Sequence, residues 1–209
     1  KLIKGSMDNL VYDIAYNSKN VKDGDMFVAI LGNREDGHSY IDEAIKNGAR
    51  VILISQDIDV PFDVTVIKVK NTRKILSKLG MKLYRYPQNK MKTIAITGTK
   101  GKTTTSFMIK KIIEEKGYKC GLIGTTGVYI GNEFRSLKNT TPESIDTIKI
   151  MDEMVKNKIE YMIMEVSSQA LKYDRVNDII FDYGVFTNLT KDHISNDEHK
   201  DMNDYIRSK

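Results

Sequence analysis

From Ile94 to Thr103 the chain reads Ile-Ala-Ile-Thr-Gly-Thr-Lys-Gly-Lys-Thr: an apolar run, two glycines, then Lys-Thr at the head of a helical pattern. A strand that feeds a glycine-bearing loop and then a helix commits this region to strand–helix alternation. The stretch from Met91 onward keeps that rhythm. Thr93 to Thr97 reads as a strand, Lys102 to Lys116 as a helix closed by Gly117, and Cys120 to Gly124 as a strand. Ser144 to Asn157 carries Ile145, Ile148 and Met154 at helical spacing, Tyr161 to Val166 is an apolar strand, and Gly184 to Thr187 is a further short one. Strands joined by helices pair in parallel with right-handed crossovers, so the expected architecture is a doubly wound α/β sheet.

Residues 1–90 read as a separate α/β unit. Met26 to Leu31 is a buried strand after the Asp23-Gly24 turn, and Ser39 to Asn47 a helix ended by Gly48. Val51 to Ile54 and Val64 to Val69 are strands. Thr72 to Tyr84 is an amphipathic helix whose Lys and Arg form a solvated face, and Tyr86 to Lys90 is a helix stop and domain junction.

The loop at 98–103 points to phosphate chemistry. Loop amides and the positive end of a helix dipole cradle phosphate oxygens, Lys102 neutralises the β and γ phosphates, and the Thr103 hydroxyl ligates magnesium. The spacing is a shortened Gly-x-x-Gly-Lys-Thr, because the position of the first glycine in the full P-loop is Ile96. Glu165 ends an apolar strand, where doubly wound sheets open their ligand crevice, and a carboxylate there suits the nucleotide's magnesium. By the same rule His193, after the strand at 184–187, is a candidate metal ligand or nucleotide contact. His199, in the charged run Asn196 to Asp201, is read as solvated, and Cys120 as a small buried filler.

Composition removes other classes. A single cysteine, Cys120, excludes a disulfide framework and a multi-cysteine zinc site. Three histidines leave little for a histidine-rich metal centre, and no apolar run approaches the ~18 residues of a membrane helix. Residues 1–10 lack the apolar core of a signal peptide, so the expectation is a cytoplasmic protein with no membrane partner. The net charge of +5 only mildly favours anions, and the lack of a basic–aromatic cluster argues against a nucleic-acid partner.

Four segments in order resemble the signatures of the Mur ligases: Thr97 to Thr104, Asn139-Thr140-Thr141, Met164 to Ser168, and Thr187 to His193. They are most similar to the muramyl-tripeptide synthetase branch (MurE type), and Asn17 to Ala29 with Asp36-Gly-His38 is similar to that family's UDP-binding domain. The resemblance implies a UDP-muramoyl-substrate-binding domain over 1–90 and a partial P-loop ATPase domain over 91–209. It implies an ATP- and Mg2+-dependent amide-bond ligase that adds the third amino acid to UDP-N-acetylmuramoyl-L-alanyl-D-glutamate through an acyl phosphate. Carried over by position, Gly98, Thr99, Lys100, Gly101, Lys102, Thr103, Thr104 and Asn188 would contact ATP. Thr103 and Glu165 would serve a first magnesium and His193 a second. Thr140, Thr141, Ser167 and Arg175 would bind the muramoyl peptide, and Tyr16 and Ser18 the uridine, with Asn33 to Glu35 nearby.

Asp201 to Lys209 resembles the segment that ends in the family's carbamylated lysine, which groups Lys209 with Lys102, Glu165 and His193 as catalytic. Carbamylation needs a neutral amine, whereas a free Lys has a pKa of ~10.4 and a frayed terminus does not depress it. Lys209 is therefore expected to be unmodified. Asn17-Ser18-Lys19 stands where the family has Asp-Ser-Arg, Lys100 where it has Asn, Gln169 where it has His, and Tyr173 where it has Gln. Ile194 to Glu198 replaces its Leu-Asp-Tyr-His-Gly. The chain is expected to be the front part of a monomeric ligase, inactive alone, with the amino-acid-selecting third domain and the far half of the ATPase sheet missing. The alternatives are a non-catalytic UDP-sugar- or nucleotide-binding module, or a relative of folylpolyglutamate or cyanophycin synthetase.

Overall fold

The computed structural model describes every residue except 33, 34, 61, 62, 193, 196 and 197. The chain divides into two compact units, Lys1–Gly80 and Met81–Lys209. Helix α2 (Thr72–Leu83) runs from the first into the second.

The first unit holds β1 (Leu2–Lys4), β2 (Ile14–Ala15), β3 (Met26–Val28), α1 (Ile41–Lys46), β4 (Val51–Ile54) and β5 (Thr65–Lys68). The sheet order is β1-β5-β4-β3-β2; β2 to β5 are parallel and β1 is an antiparallel edge. Phe27, Ala29, Ala44, Ile52 and Val66 form its core. The expected strand from Met26 to Leu31 stops at Val28: Ala29 makes the last bond to β4, giving its amide to the Leu53 carbonyl, and the chain then leaves the sheet, with Leu31 58% exposed. The solvated face of α2 is borne out by Lys74, Lys78 and Lys82.

The second unit contains β6 (Lys92–Thr97), α3 (Lys102–Glu115), β7 (Cys120–Gly124), β8 (Gly127–Ile130), β9 (Glu133–Arg135) and α4 (Ser144–Lys156). It continues through β10 (Tyr161–Glu165), α5 (Ser168–Lys172), β11 (Tyr183–Phe186) and α6 (Met202–Ser208). The sheet order is β11-β6-β10-β7-β8-β9. The first four strands are parallel, as the alternation predicts, and β8–β9 adds an antiparallel hairpin that it does not. Helix α4 exists because Ile145, Ile148, Met151 and Met154 recur every third residue and all four are buried. Each such side chain contributes about 1.5–3 kcal/mol when taken from water. Cys120 is fully buried, and desolvation pushes its thiol up to about 12, which makes it the inert filler expected.

This strand order sets the location of the site. From β6 the chain crosses over β10 to β7, whereas from β10 it crosses over β6 to β11. Successive connections diverge at the β6–β10 pair, and a crevice opens beyond the carboxyl ends of such strands. Glu165 pairs with Ile96 in register, so the last residue of β10 sits directly beside the start of the glycine loop.

Candidate functional site

The loop between β6 and α3 has two glycines in conformations that other residues adopt poorly: Gly98 at φ +146° and Gly101 at φ +83°. A Cβ on Gly98 would stand 1.9 Å from Thr187 Oγ1, so close approach as well as backbone angle requires glycine there. The segment after β11 pins the loop. Asn188 accepts the Thr99 amide on its carbonyl at 2.9 Å and the Lys100 amide on Oδ1 at 3.0 Å, and its Nδ2 donates to the Lys100 carbonyl at 3.0 Å. The Thr187 hydroxyl donates to the same carbonyl at 2.8 Å.

Lys102, the first residue of α3, folds back over the loop and donates to the carbonyls of Gly98 at 2.8 Å and Thr99 at 3.0 Å. Burial holds its amine below the ordinary lysine value, against the opposing charges of Glu165 and Asp192. Thr103, one residue on, donates its hydroxyl to Glu165 Oε2 at 2.9 Å. Thr104 is exposed in the first turn.

Glu165 is fully buried yet faces the crevice side of the sheet. Three donors surround its carboxylate, the hydroxyls of Thr103 and Thr125 at 2.9 and 3.0 Å and the Thr125 amide at 3.3 Å; the Ser106 oxygen lies 3.4 Å away, its proton given to the Thr103 carbonyl at 2.7 Å. Neither Ser106 nor Thr125 was singled out from the sequence. The crevice rule applied to the end of β7 would have found Thr125, and the three-residue spacing from Thr103 would have found Ser106.

Beside this pair lies a cleft of about 420 Å³, lined in part by Lys102, Thr125, Thr140, Thr141, Arg175 and Lys209. Thr141 is buried and holds the chain as it leaves β10, donating to the Glu165 carbonyl at 2.9 Å and accepting the Ser167 amide at 3.0 Å. The Thr140 hydroxyl lies 3.1 Å from that of Thr125. Ser167 caps α5 by accepting the Ala170 amide at 3.2 Å. Arg175 is not a free surface arginine: it donates to Glu143 Oε1 at 3.1 Å and to the Thr141 carbonyl at 3.2 Å.

Two expectations need correction. His199 is not solvated; it is fully buried, with Nε2 2.8 Å from Ser168 Oγ and Nδ1 3.4 Å from Asp204. Its surroundings come from α5 and α6, which its charged sequence neighbours do not reveal. Lys209 is not at a frayed end. It follows α6 directly and donates to Thr97 Oγ1 at 3.1 Å and the Gly98 carbonyl at 2.9 Å. Burial, then the charge of Lys102, depresses its amine to about 8.

The structure thus brings together the loop, Glu165, Asn188, Thr140, Thr141, Ser167, Arg175 and Lys209. Ser18 and Tyr16 belong to the first unit, where Ser18 is buried and donates to Glu43 Oε2 and Tyr16 follows β2. His193, Asn33 and the neighbouring Arg34 lie outside the described residues. Among the described residues no three His, Cys, Asp or Glu side chains form a metal cluster, and no helix is long and apolar enough to cross a membrane.

Residues 96–209 match the Mur ligase middle domain, and residues 10–84 match the Mur ligase family catalytic domain. The chain belongs to the Mur ligase family. Among curated Mur ligases it is 44% identical, over 209 residues, to the UDP-N-acetylmuramoyl-L-alanyl-D-glutamate–2,6-diaminopimelate ligase of Clostridium perfringens. That alignment takes in all of this chain but 43% of the relative, so the chain spans less than half the length of the Mur ligase it matches. A solved UDP-N-acetylmuramoyl-L-alanyl-D-glutamate–2,6-diaminopimelate ligase superposes with a TM-score of 0.80 at 24% identity, covering 95% of this chain and 40% of that one. The MurF ligase of Thermotoga maritima in complex with ADP superposes at 0.59 with 21% identity, covering 97% and 43%. At these identities the two structures establish the Mur ligase fold alone.

Proposed function

We propose that this protein acts as an ATP-dependent ligase that extends UDP-N-acetylmuramoyl-L-alanyl-D-glutamate by one amino acid. Residues 1–90 would serve the UDP-muramoyl substrate and residues 91–209 the nucleotide. The observation that carries the reading is the meeting of Lys102, Thr103 and buried Glu165 at the sheet's switch point. The name of the Clostridium perfringens relative supports 2,6-diaminopimelate as the incoming amine.

On this reading Gly98 to Thr104 and Asn188 line the triphosphate tail. Lys102 leaves the carbonyls of Gly98 and Thr99 for phosphate oxygens, and its ammonium stabilises the negative charge that spreads over the γ-phosphoryl oxygens as that group passes in line to the D-glutamate carboxylate. That transfer yields ADP and an acyl phosphate. The substrate amine then attacks the acyl carbon, the C–N bond forms, the C–O bond to phosphate breaks, and phosphate departs. Thr140, Thr141, Ser167 and Arg175 would orient the muramoyl peptide, and Tyr16 and Ser18 the uridine. Hydroxyl and carboxylate oxygens are the hard donors magnesium takes, so Thr103 and Glu165 fit that ion, with His193 proposed for a second. Bound magnesium would supply neutralisation of the β and γ phosphates.

The test is Lys102→Ala in the full-length protein. ADP release coupled to amide formation should fall by about a hundredfold or more, as for other removed charge-stabilising donors, while UDP-substrate binding persists. Undiminished turnover would take the loop out of the mechanism.

A further inference from the structure

Tyr205 has no part in the chemistry above, yet it is fully buried and contacts several parts of the site. Its hydroxyl lies 2.8 Å from Thr99 Oγ1. Its ring sits beneath the Lys209 ammonium, 5.3 Å from the centroid, and packs against the His199 ring at 5.2 Å.

Thr99 is the residue through which this contact reaches the loop. Between the two loop glycines stand Thr99 and Lys100; Lys100 is exposed, whereas Thr99 is 5% exposed. The Thr99 hydroxyl donates to the Thr190 carbonyl at 3.3 Å and accepts the Thr190 amide at 3.0 Å. A hydroxyl has one proton and two lone pairs, so the remaining lone pair is the one Tyr205 fills, with the phenol as donor. Burial raises the phenol's pKa, which keeps that proton in place. The backbone around Thr99 is held at the same time by Asn188 on the amide and Lys102 on the carbonyl.

We propose that Tyr205 is a positioning residue: its hydroxyl, bonded to Thr99, holds the glycine loop in its binding shape and ties that loop to the helix that delivers Lys209. The tether stands on the geometry just described, and its consequence for ATP rests on the proposed nucleotide reading.

Tyr205→Phe isolates the hydroxyl, since the ring remains for Lys209 and His199. Amide hydrogen exchange and titration with ATP and magnesium, in the full-length protein, compare the wild type with Tyr205→Phe, Thr99→Val and the double variant. Tyr205→Phe should speed exchange at the Thr99 and Lys100 amides about tenfold and weaken ATP binding about tenfold, the fold-change of one net hydrogen bond. Exchange at Ile163 in β10 should not change. The double variant should lose no more affinity than Thr99→Val alone, because Thr99→Val already removes the bond to Tyr205 along with the two to Thr190. Wild-type loop exchange in Tyr205→Phe overturns the proposal. So does equal acceleration throughout β10, the mark of a merely structural role, and so do additive losses in the double variant. If Tyr205→Phe does not fold, Thr99→Val is compared with Thr99→Ser, which keeps the hydroxyl: wild-type loop exchange in Thr99→Val overturns the proposal, and acceleration in Thr99→Val that Thr99→Ser does not show supports it. If the wild type binds no ATP, the nucleotide reading fails, while the exchange comparison still decides the tether.

Discussion

Gly124, the last residue of β7, offers a way to move the Glu165 carboxylate without altering it. A Cβ built on Gly124 would lie 2.2 Å from Glu165 Oε1 and 2.7 Å from Cδ. Gly124 is not among the residues with positive φ, so the effect of Gly124→Ala is steric. To reach an ordinary 3.4 Å contact the carboxylate oxygen must retreat by about 1.2 Å. A shift of that size takes Oε1 out of range of the Thr125 amide, now 3.3 Å away, and turns the carboxylate so that Oε2 loses its alignment with the Thr103 and Thr125 hydroxyls. Overpacking typically costs about 1–3 kcal/mol, and hydrogen bonds to a charged group are worth about 1.5–3 kcal/mol each, with relaxation recovering part. A net loss of about 2–4 kcal/mol follows, which lowers the Tm. Gly117→Ala is the control. Gly117 has φ +86° and nothing within 4 Å of a built Cβ, so it loses stability through backbone strain alone, about 1–2 kcal/mol. The assay pairs thermal unfolding with ATP–magnesium titration of the full-length protein. Both variants should melt earlier, but Gly124→Ala alone should bind ATP–magnesium at least about tenfold more weakly, the effect of 1.4 kcal/mol. Wild-type affinity in Gly124→Ala, or an equal loss in both variants, refutes the role given to this carboxylate.

His199 is held below its ordinary 6.5 by burial and by the ammonium of Lys172, against the opposing pull of Asp204 and Glu198; the buried Tyr205 ring packs beside it. The unfolded chain takes up its proton as pH falls through 6.5 and the fold resists, so the contribution of His199 to stability should be constant above that pH and decline below it, and His199→Gln should flatten the decline in thermal melts between pH 7.5 and 5.5. Lys209, depressed to about 8, is partly neutral at pH 8, and an arriving polyanion favours its charged form; ATP binding at pH 8 should therefore take up protons, seen as a dependence of the calorimetric heat on buffer ionisation enthalpy, and no such dependence would contradict the placement of the phosphates near Lys209.

The elements that could be read from the sequence are those whose signal is local. β6, its glycine loop and α3 are specified by an apolar run, two glycines and helical spacing within about two turns of chain. Glu165 could be placed because the end of a parallel strand has a fixed relation to the crevice. The β8–β9 hairpin was missed, although the two-residue Gly131-Asn132 link between its strands is a hairpin signal in its own right. The two-residue β2 was not legible; nothing but its pairing with β3 makes it a strand. Likewise His199 sits among Glu198, Lys200 and Asp201, and only a partner 31 residues away, Ser168, explains its burial. Lys209 fails for the same reason: its contact with Gly98 spans 111 residues, and no local pattern encodes it.

The partners of Lys102 bear on how such a loop receives phosphate. Had its ammonium been locked in a buried ion pair with Glu165, moving to a phosphate would strand a buried carboxylate, at a cost of several kcal/mol. Instead, Glu165 is satisfied by hydroxyls and an amide, and Lys102 by two neutral carbonyls. Exchanging those carbonyls for phosphate oxygens adds attraction between full opposite charges to bonds that already have a charged donor, and leaves no charge behind. The Gly98 carbonyl that Lys102 vacates also keeps its bond from Lys209, so the loop retains an anchor while the first lysine moves. A second ammonium on that carbonyl raises the local positive potential, which lowers the energy of a phosphate entering the loop and raises that of the ligand-free state. Separate satisfaction of the carboxylate and the lysine is thus what lets one short loop hold its shape without a ligand and still release its lysine to one.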